Sequence, residues 1–313
     1  MPAYGNASDL HFQPRPVGRV PRGAPVPGRC RLRRAGCRPR TAPSASRRWC
    51  ASAWSRPGSS SISRRTTPIL FTSSATECWE ILTQSLTPRR SFHLYNGSFG
   101  QKWFDYARAL RPGCTGLRFD INDVPDPATL PFSPEETDLV CLTQNETSTA
   151  TQLRDQFILN TFNRLGPALL AVDATSSLGV ALKFIKADVW YGSVQKCLGL
   201  PAGLGLLVLS PRAVARAREV GDNAHYNSLN SMVKQMLNYQ TTHTPNVLGI
   251  YLLSRVLQAR EPIKVVAPHL TERAQKLYDY FEQVQPLGLR PLVENPEARS
   301  TTVDRPARAR RRD

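Results

Sequence analysis

From Pro68 onward the chain alternates short apolar runs with longer stretches whose apolar residues recur every three or four positions. PILFTSS (Pro68 to Ser74) predicts a strand and ATECWEILTQSL (Ala75 to Leu86) a helix. SFHLYNG (Ser91 to Gly97) predicts a second strand, followed by a helix over FGQKWFDYARAL (Phe99 to Leu110). LRFDI (Leu117 to Ile121) and LVCLTQ (Leu139 to Gln144) read as strands. PALLAVDAT (Pro167 to Thr175) reads as a buried strand, and ADVWYGS (Ala187 to Ser193) and GLGLLVLS (Gly203 to Ser210) as the next two. PRAVARAREV (Pro211 to Val220) opens a helix with proline in its first turn. Tyr251 to Val284 is helical in pattern and begins a second, small domain. Strands alternating with helices predict an α/β fold with a mainly parallel sheet and flanking helices. Ligands of such sheets bind where strands end and helices begin.

Composition divides the chain further. Residues 1–65 are low in complexity, and Gly23 to Arg65 is rich in Arg, Pro, Ser and Ala with no acid. Such a stretch buries too little apolar surface to offset chain entropy. It reads as a transit peptide or as sequence foreign to this fold, as a shifted reading frame produces. Residues 66–255 form the predicted large domain, 256–303 a partial small domain, and 304–313 a basic tail.

The 313 residues carry a formal net charge of +17. Residues 1–76 hold 14 Arg and one acid, and the tail holds five Arg and two Asp. The middle is left almost neutral, with no basic face interleaved with aromatics, which argues against a nucleic-acid partner. No apolar run is long enough to span a bilayer, so no membrane role is expected. The seven cysteines show no CxxC and no metal-ligand spacing, so no metal is expected. Their odd number, without an apolar leader, points to a reducing, cytoplasmic compartment.

Four predicted strand ends carry candidate chemistry, and each has a plain structural alternative. SSATE (Ser73 to Glu77) either caps a helix or offers N–H groups to an anion. Phe99, between Gly97 and Gly100, either covers the core or faces a planar ring. Asp173 closes the run ALLAV and either caps a turn or holds a proton on a ring nitrogen. Lys196, in YGSVQKCLGLPAGLG, is either a solvated loop residue or an amine that attacks a carbonyl. Jointly the four meet the needs of pyridoxal 5'-phosphate, which requires an anion site, a ring cover, a carboxylate and a Schiff-base lysine.

With AVDATSSLGV and DVWYGSVQKCLGLPAGLGLLVLS together, the chain resembles the class V, fold type I pyridoxal-phosphate aminotransferases. Within them it resembles the branch of phosphoserine and alanine/serine–glyoxylate aminotransferases. The likeness runs from Ile69 to Pro296. It implies that Lys196 bonds the cofactor aldehyde, that Asp173 pairs with the ring nitrogen and that Phe99 stacks on the ring. It further implies phosphate contacts from Ser74, Ala75, Thr76 and Gln195, and a contact of Thr147 with the ring's phenolic oxygen. His243 and Thr244 match a segment that reaches the phosphate from the other subunit of a homodimer. The implied reaction moves an amino group between a small amino acid and a 2-oxo acid. Cysteine desulfurases and related lyases usually carry His before the lysine. Gln195 here favours transamination and makes Cys197 a packed small residue, with lyase activity or an inactive fragment as the alternatives. Both ends depart from the family. Ala75 and Ala150 stand where glycine is common, and no residue matches the family's substrate-carboxylate arginine.

Overall fold

The structure, a computed structural model, describes residues 68–179 and 186–308. The low-complexity region 1–65 and the last five residues lie outside the described residues. The strands are β1 (Ile69–Thr72), β2 (Ser91–Tyr95), β3 (Thr115–Arg118), β4 (Leu139–Thr143), β5 (Asn145–Glu146), β6 (Thr151–Gln152), β7 (Leu169–Asp173), β8 (Val189–Ser193), β9 (Gly205–Leu209), β10 (Leu289–Pro291) and β11 (Pro306–Arg308). The α-helices are α1 (Ala75–Leu86), α2 (Ser98–Leu110), α3 (Asp155–Asn163), α4 (Pro211–Val220), α5 (Leu229–Leu237), α6 (Val247–Ala259) and α7 (Ile263–Gln283). Among the described residues no helix is long and apolar enough to cross a membrane.

Seven strands form one sheet in the order β1-β9-β8-β7-β4-β2-β3. β8, β7, β4, β2 and β3 pair in parallel, while β9 runs antiparallel to both β8 and β1. β1 therefore points the same way as the parallel strands. Their carboxyl ends share one edge.

The apolar runs without alternation are explained by burial on both faces. Every residue of β4, β7 and β8 is buried. Successive residues feed opposite cores. Leu139, Cys141, Leu169 and Ala171 join Trp79, Ile81 and Leu82 of α1 on one side. Val140, Leu142, Leu170 and Val172 join Phe157 and Ile158 of α3 on the other. α4 follows its sequence signals, with Ser210 capping Ala213 N–H, Pro211 in the first turn and Gly221 left-handed at φ 66°.

The structure differs from the sequence pattern at several places. The predicted strand Leu117 to Ile121 is Thr115–Arg118 instead, set by its pairing with β2. The long C-terminal helix is two helices, α6 and α7, and α6 runs across the boundary drawn at 255/256. The break falls at Arg260–Pro262, because proline restricts the residue before it and has no N–H to donate. Pro306–Arg308, assigned from composition to the basic tail, pairs antiparallel with β10. Backbone pairing at a sheet edge needs no apolar pattern, and charged side chains are common there.

Gly205 fixes how closely β9 can approach the turn after β1. A Cβ there would lie 2.2 Å from Thr72 Oγ1 and 2.8 Å from the backbone of Ser74. Gly205→Ala is expected to cost about 1–3 kcal/mol by overpacking, read as a lowered urea midpoint. An unchanged midpoint would contradict this close approach.

Candidate active site

The turn from β1 into α1 is closed by its own polar groups. Ser74 is extended at the N-cap, and its hydroxyl accepts Glu77 N–H at 3.1 Å. Ala75 N–H donates to Ser193 Oγ at 2.7 Å, tying this turn to the end of β8. Glu77 Oε2 accepts both the N–H and the hydroxyl of Ser73, each at 2.7 Å. Thr76 is exposed on the same turn.

α2 begins at Gly97, which supplies no side-chain cap. The cap comes from the β5 region instead. Glu146 Oε2 accepts Gly100 N–H at 2.9 Å, and Ser148 Oγ accepts Ser98 N–H at 2.8 Å. Glu146 Oε1 in turn accepts the N–H and hydroxyl of Ser148 at 3.0 and 2.7 Å. A Cβ on residue 97 would lie 2.4 Å from both Glu146 Cγ and Ser148 Oγ, so glycine is required by space. This clamp fixes Phe99 in the first turn of α2, where its ring is 41% exposed. Lys196 Nζ lies 6.0 Å from the Phe99 ring centroid, and Lys102 Nζ lies 5.9 Å from it. Two strand ends distant in sequence thus bring the predicted aromatic and the predicted amine together.

Asp173 ends β7 and is 5% exposed. Its Oδ1 accepts Thr175 N–H at 2.8 Å. Tyr191, directly beside it on β8, is fully buried, and its hydroxyl accepts the Trp79 indole N–H at 2.9 Å. Burial pushes the Asp173 carboxyl above the usual carboxylate range, hydrogen bonds from Thr175 and Tyr191 pull it back, and the Glu146 charge adds to the rise. Among the described residues no ion pair reaches Asp173.

The remaining predicted residues are more scattered. Thr147 shares a hydrogen bond with Ser176, just beyond β7, so its hydroxyl lies near the Asp173 turn. Gln195 and Lys196 are both exposed at the end of β8. His243 and Thr244 are exposed in the segment before α6. His243 lies edge-on to Tyr226 with centroids 6.3 Å apart, and the Tyr226 hydroxyl donates to Glu77 Oε1 at 3.2 Å. Ala150 adopts φ 58°, the left-handed region that favours glycine. Burial pushes the Cys197 thiol up to about 11, which makes it a poor nucleophile.

Sequence reasoning missed Glu146, Ser148, Tyr191, Trp79, Ser193 and the Glu77 bonds. An acid in the middle of QNETSTA was a readable signal for Glu146. The spacing Ser74 to Glu77 is that of a helix-capping box. The partners of Tyr191 and Ser193 lie more than a hundred residues away in sequence, and only the sheet order brings them close.

The residues fit pyridoxal phosphate on physical grounds. A buried carboxylate with no cationic partner among the described residues suits a protonated ring nitrogen. An aromatic face with an amine above it suits a flat ring carrying an aldehyde.

The profile of the class-V aminotransferase family matches residues 105–305. The chain belongs to that family. Phosphoserine aminotransferase of Rhodococcus opacus (strain B4) is 28% identical over 243 residues, covering 75% of this chain and 63% of the relative. The chain thus spans less than two thirds of that relative's length. A phosphoserine aminotransferase structure from Cytophaga hutchinsonii superposes with a TM-score of 0.71 at 29% identity, over 77% of this chain and 67% of that one. Both of these relatives are phosphoserine aminotransferases. An aspartate aminotransferase from Thermus thermophilus shares the fold, with a TM-score of 0.68 at 23% identity over 85% of this chain and 76% of that one. The alternation of strands and helices and the α/β architecture read from the sequence are those of the family.

Raising a carboxyl pKa by burial has a defined consequence for stability. Below the ordinary carboxylate range Asp173 is neutral in folded and unfolded chains alike. As pH rises through its raised value, the folded protein must ionise a buried group that the unfolded chain ionises freely, so stability falls. Asp173→Asn should therefore stabilise the cofactor-free protein by about 1–2 kcal/mol near neutral pH and not in acid. Thermal melts of both proteins across pH check this. A variant less stable than wild type at neutral pH would contradict it.

Proposed function

We propose that this class-V family member is a pyridoxal-phosphate-dependent aminotransferase that works as a homodimer. The amino group moves between a small amino acid and a 2-oxo acid, and the names of its relatives favour phosphoserine as donor. The observation that carries the reading is the buried, unpaired Asp173 on the same sheet edge as Lys196, whose amine faces Phe99.

Pyridoxal phosphate supplies, when bound, an aldehyde that condenses with amines and a protonated ring that draws electrons from the substrate's α-carbon. Lys196 would hold the aldehyde, and its free Nζ would take the proton from the substrate α-carbon and later return one, as general base and acid. Asp173 accepts the ring N–H and keeps that proton in place. Tyr191 and the Thr175 N–H hold the Asp173 carboxylate in position. Phe99 packs on the ring, and Thr147 donates to the phenolic oxygen. Ser74, Ala75, Thr76 and Gln195 supply phosphate donors, joined by His243 and Thr244 of the partner subunit.

The dimer has support in exposed apolar residues. Leu237, Val247 and Leu248 are each about two-thirds exposed around the segment that carries His243. Sulfur elimination is disfavoured by Gln195 and by the raised Cys197 thiol. Cys78, Cys114 and Cys141 are buried and unpaired, which suits a reducing compartment such as the cytoplasm.

Adding pyridoxal phosphate to the purified protein should produce visible absorbance that Lys196→Ala lacks, with amino acid restoring the colourless form in wild type alone. Light scattering on the same sample should give twice the chain mass. A protein that stays colourless, or a variant that colours equally, would defeat the cofactor assignment. A monomer would remove the role of His243 and Thr244.

A further inference from the structure

The segment between β10 and β11 packs against the β5–β6 hairpin, with Arg299 bridging Thr151. Ser300 N–H donates to Ala150 O at 2.9 Å, and the Tyr278 hydroxyl of α7 donates to Ser300 O at 3.0 Å. Ser300 is fully buried, and its hydroxyl accepts the N–H groups of Thr302 and Val303 at 3.1 and 3.0 Å. Gln152 Oε1 accepts the N–H and hydroxyl of Thr301 at 3.0 and 3.1 Å. Thr302 is thereby delivered, half-buried, to the turn after Asp173, where its hydroxyl donates to Ser176 O at 2.7 Å. Asn145 Nδ2 donates to the same carbonyl at 2.9 Å and also to Thr302 Oγ1. The hydroxyl of that same Ser176 shares a 2.5 Å hydrogen bond with Thr147 Oγ1.

We infer that Thr302 is a positioning residue of the cofactor site: its hydroxyl fixes Ser176, and Ser176 turns the Thr147 hydroxyl outward to the cofactor's phenolic oxygen. The inference rests on the reading above that Thr147 meets that oxygen.

The argument is a count of protons and lone pairs. A hydroxyl has one proton to donate. If Thr147 gave its proton to Ser176, none would remain for a phenolic oxygen. Ser176 must therefore supply the proton of the 2.5 Å bond, leaving that of Thr147 free to point at a ligand. Hydroxyls bonded in series also polarise one another, which strengthens the outer donor. Ser176 is 3% exposed, so its direction is set by its own backbone. The carbonyl of that backbone accepts two donors, one for each lone pair, and Thr302 is one of them. The turn as a whole does not hang on Thr302. The Ser177 hydroxyl donates to Gln144 Oε1 at 2.6 Å, and Gln144 N–H donates to Asp173 O at 3.0 Å. Loss of the Thr302 hydroxyl thus loosens Ser176 and Thr147 while the strand end stays in place.

Thr302→Val keeps the side-chain shape and removes the hydroxyl, while Thr302→Ser keeps the hydroxyl. Thr147→Val removes the group through which Thr302 acts. Cofactor-free wild type, the single variants and the double variant Thr147→Val/Thr302→Val are titrated with pyridoxal phosphate by visible absorbance, with thermal melts to check folding. Thr302→Val is expected to weaken cofactor affinity about fivefold to tenfold, the size of one hydrogen bond, and Thr302→Ser to stay near wild type. In the Thr147→Val background the further effect of Thr302→Val should be under about twofold, because both act on one contact. Ser176→Ala leaves both carbonyl bonds in place. It should weaken affinity by a similar factor and likewise add nothing to Thr147→Val, a test that stands even if Thr302→Val fails to fold. Full additivity with Thr147→Val, or wild-type affinity in folded Thr302→Val or Ser176→Ala, overturns the inference and leaves the cofactor reading standing. Uptake of no cofactor by wild type overturns the cofactor reading and this inference with it.

Discussion

Burying the Asp173 carboxylate with no cation beside it among the described residues costs free energy that the surrounding apolar sheet has to offset. The cost is tolerable because β7 lies between β4 and β8, every residue of the three is buried, and two apolar cores grip them from opposite faces. The same packing denies the carboxylate any relaxation toward water. What is left is a buried acceptor held by Thr175 and Tyr191. The site is a place where the fold gives up stability in exchange for chemistry.

The rest of the site follows from strand direction. Parallel strands deliver their carboxyl ends to one edge, so residues from five separate segments meet without any local sequence signal that they will. Three tethers then set the details. Ser193 holds the β1–α1 turn to the end of β8, Glu146 and Ser148 hold the start of α2, and Trp79 holds Tyr191 beside Asp173. Each tether uses a buried or half-buried polar group whose partner is remote in sequence.

Much of the fold is legible in the sequence. The limits of α1 and α4 could be read from caps and periodicity, and β7 and β8 from unbroken apolar runs. Lys196, Asp173 and Phe99 could be picked out because each interrupts a strand-end pattern with a group whose chemistry suits one cofactor. α3 and α5 escape the sequence pattern, since nine residues each give too few turns to establish a period. The β10–β11 pair was hidden because one of its strands is proline- and arginine-bearing and resembles a tail. Glu146 was overlooked beside Thr147, because a capping role shows only when the capped helix is in view. Ala150 departs from glycine, and its left-handed backbone supplies the physical reason that glycine suits the position.

The central claim is that one amine, Lys196, faces the place where a ring lies against Phe99 with its nitrogen toward Asp173. Incubation with pyridoxal phosphate, reduction with borohydride and peptide mapping by mass tests it most directly. The account predicts that the reduced cofactor is found on Lys196, with Lys102 and the other lysines unlabelled. Label spread over exposed lysines, or concentrated on one other than Lys196, would contradict it.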